Sequence, residues 1–275
     1  MIRAQCLCFC LILLLAPVCA SANTFLICHV GGPGTSEQAA PKLALFLRHL
    51  EKILGLNPNS FDGLYLNKES ACAEFLKEKS PLMVVADLPT LLRNFSAWEL
   101  SPVAFVGDEA SSRYHLLSSK PEIQDLKSSQ GRSLAWAGTR DMAFLRQVVF
   151  DGAVDPALHF ELKHQRRVLK GVRGVSRGKY DLVLVDQAAY AHLSELDLPT
   201  PLKEVFRSEP LPGLTLSARG TLSADQKKLV AKIKKALPKL CQSSGKDLCA
   251  SLEVDSFTPV RPKKMKKLLK RYEKK

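Results

Sequence analysis

Apolar residues change their spacing at intervals along this chain, and the changes mark out alternating strands and helices. Residues 25–30 (FLICHV) are a short run of strand formers, and Gly31-Gly32-Pro33-Gly34 forces a turn. From Thr35 onward Leu43, Phe46, Leu47, Leu50, Ile53 and Leu54 recur on one face of a 3.6-residue period, which predicts an amphipathic helix. Thr35 with Gln38 three residues later reads as a capping box, and Pro41 predicts a kink or a short first turn. Strand, glycine loop and helix in that order place backbone N–H groups at the carboxyl end of a strand. Open α/β sheets bind ligands there, and anions are favoured at the helix end. The glycine spacing is neither G-x-G-x-x-G nor a phosphate loop, so nucleotide binding has no support in it.

The alternation continues through two units. Strands are expected over 63–66, 82–86, 102–106 and 114–117, with a helix over 69–79 and a short one opened by Asp87-Leu88-Pro89. Buried strands that alternate with helices predict a parallel sheet. After a polar break at 118–121 comes a strand over 134–137. The turn Gly138-Thr139-Arg140-Asp141 then leads into a helix burying Met142, Leu145, Val148 and Val149. A strand over 158–162, a basic helix over 166–175 and a strand over 180–185 ending in Asp186 follow, then a helix over 188–196. Strands over 202–207 and 214–218 lead back, and Ser223 with Gln226 caps another helix. The tail 262–275 carries Met265, Leu268, Leu269 and Tyr272 at helical spacing, so it is expected to dock that stripe with its lysines in water. The pattern predicts an α/β protein of two lobes, the first from 23–117 and 205–275 and the second from 118–204. Extended crossings near 113–119 and 202–209 form a two-segment hinge.

Charge and cysteine refine this. Arg3, an apolar run over 7–18 and Ala20-Ser21-Ala22 have the three-part form of a signal peptide, residues 1–22, cleaved after Ala22. Bulky Val18 ahead of Cys19 ranks a lipoprotein below soluble export to the periplasm or beyond. Export leaves Cys28, Cys72, Cys241 and Cys249 in an oxidising compartment. A local Cys241–Cys249 bridge across a turn-like segment is the easiest to form, and Cys28 and Cys72 either pair or remain buried thiols. The net charge of +13 lies largely on the solvent faces of two amphipathic helices, and no nucleic-acid-binding motif accompanies it. The histidines lack metal-ligand spacing and no G-x-S-x-G is present, so neither a metal site, a cofactor nor a catalytic centre is predicted.

The leader, FLICHVGGPGTSEQA with its helix, the strand ends Ala86-Asp87 and Val185-Asp186, and the closing FTPVRPKKMKKLLKRYEKK together resemble the phosphate/phosphite/phosphonate-type substrate-binding proteins of ABC transporters. The resemblance implies a type II periplasmic-binding fold, acting as a monomer without catalysis. A small anionic (phosphate- or phosphonate-like) or zwitterionic ligand would close between the lobes and be delivered to a transporter permease. By position it carries a ligand site onto Gly32, Thr35, Ser36, Asp87 and Leu88 of the first lobe and Thr139, Arg140 and Asp186 of the second. Arg140 with Asp186 would suit a ligand bearing both charges. A ligand-sensing receptor lobe for a signalling partner and a transferase-type enzyme on the same fold are the rival classes.

Overall fold

The computed structural model describes residues 23–32, 34–108 and 110–274; the expected leader, residues 1–22, lies outside them. In chain order the first half runs β1 (Asn23–Cys28), α1 (Ser36–Leu54), β2 (Phe61–Leu66), α2 (Glu69–Glu78), β3 (Met83–Ala86), α3 (Leu88–Asn94), β4 (Leu100–Val106) and β5 (Tyr114–Ser118). Then come β6 (Ser133–Trp136), a π-helical segment (Phe144–Val149), α4 (Pro156–His159), β7 (Glu161–His164), α5 (Val168–Ser176), β8 (Leu182–Asp186), α6 (Gln187–Ala191) and β9 (Lys203–Arg207). The chain closes with β10 (Thr215–Arg219), α7 (Ala224–Leu240), α8 (Lys246–Ser251), β11 (Phe257–Pro259) and α9 (Pro262–Tyr272).

Two sheets organise the molecule, ordered β11-β4-β10-β3-β1-β2 and β7-β6-β8-β5-β9. Each is mixed rather than purely parallel. β1, β2 and β3 run parallel, but β10 enters antiparallel to β3 and β4 because the chain arrives there from the far sheet. Likewise β5 runs antiparallel to β8 and β9. Residues 114–117, expected in the first unit, therefore belong to the second sheet, where His115, Leu116, Leu117 and Ser118 are buried. The segments that pass between the sheets are 107–113 and 208–214. They run side by side, with Ser112 and Leu211 exchanging two backbone hydrogen bonds of 2.9 Å.

The core follows from the strand pattern. On β1, Phe25 and Ile27 face α1 and α7, while Leu26 and Cys28 face the opposite layer. That second cluster continues without a break into the other sheet, from Leu91 through Leu211 to Leu134, Trp136, Phe144 and Phe150. α9 helps to bridge it: Met265 is buried there, and Leu268, Leu269 and Tyr272 pack against it. Arg271 donates to the carbonyls of Gln147 and Val148 at 2.7 and 2.9 Å, accepting groups near the end of the π-helical segment. The tail thus docks its apolar stripe as expected, and it does so across both sheets.

Disulfides join Cys28 to Cys72, tying β1 to α2, and Cys241 to Cys249, at the end of α7 and in α8. α1 runs unbroken through Pro41, which lies near enough to its start that one intrahelical bond is lost without ending it. The strand expected over 158–162 is instead a short helix followed by β7, because Asp155 caps Ala157 and Pro156 sits in the first turn. α8 and β11 carry no period and were not predicted. Among the described residues no helix is long and apolar enough to cross a membrane.

Candidate functional site

A cleft of about 710 Å³ lies between the two sheets at the carboxyl ends of β1, β3, β6 and β8. Its first-lobe wall begins with the loop after β1. His29 N–H donates to the Leu66 carbonyl and Gly31 N–H to that of Asn67, both at 3.0 Å, so the loop is pinned to the end of β2. Gly32 is there for lack of space: a Cβ on it would sit 2.6 Å from the His29 ring and 2.6 Å from the Tyr65 hydroxyl. Thr35 accepts from Gln38 N–H at 3.4 Å, and its own N–H donates to the Gln38 side chain at 3.0 Å. This capping box closes the start of α1 on itself. Ser36 Oγ donates to the Tyr65 carbonyl at 2.5 Å. Gly32 lines the cleft, whereas Thr35 and Ser36 do not.

Asp87 ends β3, caps α3 by accepting from Thr90 N–H at 2.8 Å and lines the cleft. Burial pushes its carboxyl up, against the Thr90 hydrogen bonds and the nearby His29 and Arg93. Leu88 is buried in the core and borders only a side recess of about 140 Å³. Asp87 and Asp186 share that recess with Tyr114. Burial and these two carboxylates hold the Tyr114 phenol well above its ordinary value.

The turn after β6 differs from expectation. Asp141 Oδ1 accepts from Phe144 N–H at 2.9 Å, and its Oδ2 accepts from the Tyr272 hydroxyl at 2.7 Å and pairs with Arg93 Nε at 3.3 Å. The helix end behind Thr139 and Arg140 is thus filled by the chain's own buried carboxylate. Thr139 lines the cleft, but its Oγ1 already accepts from Asp141 N–H and Arg93. Arg140 does not line it. Its guanidinium lies 3.2 Å from His164 Nδ1 and must be the donor, which leaves the His164 proton on Nε2, 3.5 Å from the Gly138 carbonyl. Asp186, exposed at the end of β8, caps α6 through Ala189 N–H at 2.8 Å and lines the cleft.

The structure adds residues that the sequence reading had not placed in a site: His29, Tyr114, Trp136, His164, Gln165, Arg166 and Arg167. Trp136 holds the second wall rigid, donating from Nε1 to the Thr139 carbonyl at 3.0 Å with its ring edge-on to His164 at 5.0 Å. Arg166, Arg167 and Val168 bring the start of α5 into the cleft, and Arg167 precedes that helix in extended backbone with no side-chain cap. The start of α5 thus carries no side-chain cap and follows two arginines, an arrangement that favours an anion. Among the described residues the lining contains neither serine nor cysteine. Among the described residues no group of three or more His, Cys, Asp or Glu side chains is placed to hold a metal ion.

The model of one family, periplasmic substrate-binding proteins of phosphonate ABC transporters, matches residues 118–265. No curated protein matches the chain. Among solved structures, a binding-protein component of an ABC phosphonate transporter from Pseudomonas aeruginosa superposes with a TM-score of 0.64 at 13% identity, over 90% of this chain and 84% of its own. PhnD1 of Prochlorococcus marinus in complex with methylphosphonate gives 0.65 at 11% identity, over 91% and 97%. A Xanthomonas citri protein bound to ATP gives 0.68 at 12% identity, over 91% and 96%. At such identities the likeness is one of fold.

Proposed function

The chain belongs to the family of periplasmic substrate-binding proteins of phosphonate ABC transporters, whose model covers more than half of its length, and from that premise we propose that it captures a small zwitterionic solute between its lobes for a permease. The fold is the two-lobed type II periplasmic-binding fold, and the family is one of transport proteins rather than enzymes. In this reading the leader 1–22 is removed on export, the lobes divide at 107–113 and 208–214, and the ligand meets them in the cleft.

The supporting observation is the separation of charge there. Asp87 and Asp186 gather at Tyr114 in the recess, which the start of α5 does not line. His164, Arg166 and Arg167 border the main cleft and not the recess, while the two carboxylates border both. An anionic head suits the uncapped end of α5, where N–H groups and guanidinium groups donate together. An amine suits the two carboxylates. Gly32 and Thr139 shape the walls, while Thr35, Ser36, Leu88 and Arg140 support the loops that carry them.

Calorimetry with an aminoalkylphosphonate and the alkylphosphonate of equal length lacking the amine tests this. The amine is expected to strengthen binding at least about tenfold, one charge-assisted hydrogen bond's worth, and Asp186→Asn to erase most of that preference. Equal affinity for both compounds, or none for either, sinks the reading.

A further inference from the structure

A second cavity, of about 240 Å³, lies over the other face of the first sheet, beneath α1, α7 and the segment that follows α8. Its floor is a row of register partners, Ile27 on β1, Val85 on β3 and Leu216 on β10. Ile27 and Val85 sit on adjacent interior strands, where side chains are ordinarily covered, yet both are only half-buried and border the cavity. Phe46, Leu252 and Val254 are among the rest of the wall, and the polar side chains that reach it are His29, Lys42 and Tyr65. His29 also lines the interlobe cleft and its recess, so its ring stands between the two spaces.

We infer that the first lobe carries an apolar ligand subsite, meeting the cleft at His29, for the alkyl or aryl group of an amphipathic solute whose charged end sits in the cleft. This rests on the solute-binding reading of the cleft and narrows its ligand class. Size supports it: a cavity of about 150 Å³ lined by aliphatic and aromatic side chains takes up benzene, so this one accommodates a benzene ring with a short chain. Proximity supports it too. Among the described residues, His29 alone lines the cavity, the cleft and the recess, so the apolar and the charged space lie within one residue of each other.

The test uses two probes and two blocking variants, Val254→Trp and Leu252→Trp, each first checked for folding by circular dichroism. Calorimetry should show n-butylbenzene binding to the wild type and not to the blocked variants. Across alkylphosphonates from methyl to hexyl, wild-type affinity should rise by up to about fourfold per methylene. The blocked variants should hold methylphosphonate like the wild type and show no rise. Failure of n-butylbenzene to bind the wild type, or equal binding by the blocked variants, overturns the subsite. If n-butylbenzene binds but alkylphosphonate affinity is flat in chain length, the link to the cleft is overturned. If n-butylbenzene binds and no phosphonate of any length does, the phosphonate reading of the cleft falls while the apolar site stands.

Discussion

α1 and α5 both begin beside the same cleft, and their first turns are finished in opposite ways. At α1 the Thr35–Gln38 capping box satisfies both ends of the turn, and Ser36 is bonded to Tyr65. At α5 the preceding residue is Arg167, which offers no side-chain acceptor, and Arg166 adds a second guanidinium. The positive end of a helix dipole attracts anions at either place, but the side-chain cap present at α1 is absent at α5. The π-helical segment is a third case, since Asp141 supplies an anion from within the chain. A helix N-terminus at a strand end is therefore a ligand site only where the protein has not already capped it.

The closed junction is also the covalently held one, because Cys28 immediately precedes the His29–Gly32 loop. Removing the Cys28–Cys72 bridge, with both cysteines changed to alanine, should bring the largest loss. Its sequence separation of 44 against 8 for Cys241–Cys249 gives about 4 kcal/mol against about 2.6 kcal/mol in the loop-entropy picture. Urea unfolding of the two double variants measures the order. A smaller loss for the Cys28–Cys72 pair than for the other would show that the α1 junction is held by its hydrogen bonds instead.

Next in size is Asp141→Ala, which leaves Arg93 and the Tyr272 hydroxyl without their buried partner and uncaps the helix. Arg93 keeps its 2.9 Å pair with Glu69, so the loss is that of the helix cap and of the acceptor for the Tyr272 hydroxyl, about 2–3 kcal/mol together. Unfolding by urea should show it, with Tyr272→Phe costing only about 1 kcal/mol. A shift under about 1 kcal/mol for Asp141→Ala would mean that this junction is not locked and that its resemblance to α1 is superficial.

The comparison sharpens further in binding. Arg167→Ala should weaken an aminoalkylphosphonate by about 1.5–3 kcal/mol, the range for hydrogen bonds to a charged group. Thr35→Ala should instead lower stability by about 1 kcal/mol through the lost cap and leave affinity unchanged. Titration calorimetry beside thermal melts separates the two outcomes. The reverse pattern, with affinity lost at Thr35 and kept at Arg167, would move the anion to α1.

Much of the frame was legible because buried strands announce themselves. LMVVA is an apolar run followed by an acid and LVLVD one that ends in an acid, and Asp87 and Asp186 do reach the cleft from those ends. The capping boxes at Thr35 and Ser223 were equally plain. What the sequence hid was tertiary. Residues 164–167 have no period, and Arg166 and Arg167 read only as the start of a basic helix; the packing of α5 on the second sheet turns that end into the cleft. Arg140 was preferred because it follows a glycine turn after a strand. That logic cannot see that its guanidinium is drawn aside to His164. Nor does the spacing of Met142, Leu145, Val148 and Val149 distinguish an α-helix from the π-helical turn found there. The antiparallel entry of β10 reflects the chain's return from the other sheet, a fact of topology that its five residues do not carry.

The smallest expected effect sets one carboxylate from each sheet side by side. Burial pushes Asp87 up. Burial also acts to raise Asp181, but hydrogen bonds from Lys120 and Ser133 more than offset it and hold its carboxyl down at about 2. The unfolded chain would titrate both near 3.9. Asp181 therefore contributes stability that is present above about pH 4 and is lost as pH falls toward 2, while Asp87 contributes stability at low pH that is lost as pH rises through its raised value. Asp181→Asn should destabilise at pH 7 and become neutral near pH 2. Asp87→Asn, which keeps an equally good cap, should gain on the wild type as pH rises from 3. The Asp181 difference should stay under about 1 kcal/mol because solvent screens that partly exposed charge, so paired urea titrations at several pH values are needed. Parallel pH trends for the two variants would mean that burial does not govern Asp87. The recess at Tyr114 would then lose its claim to be the amine-binding end of the cleft.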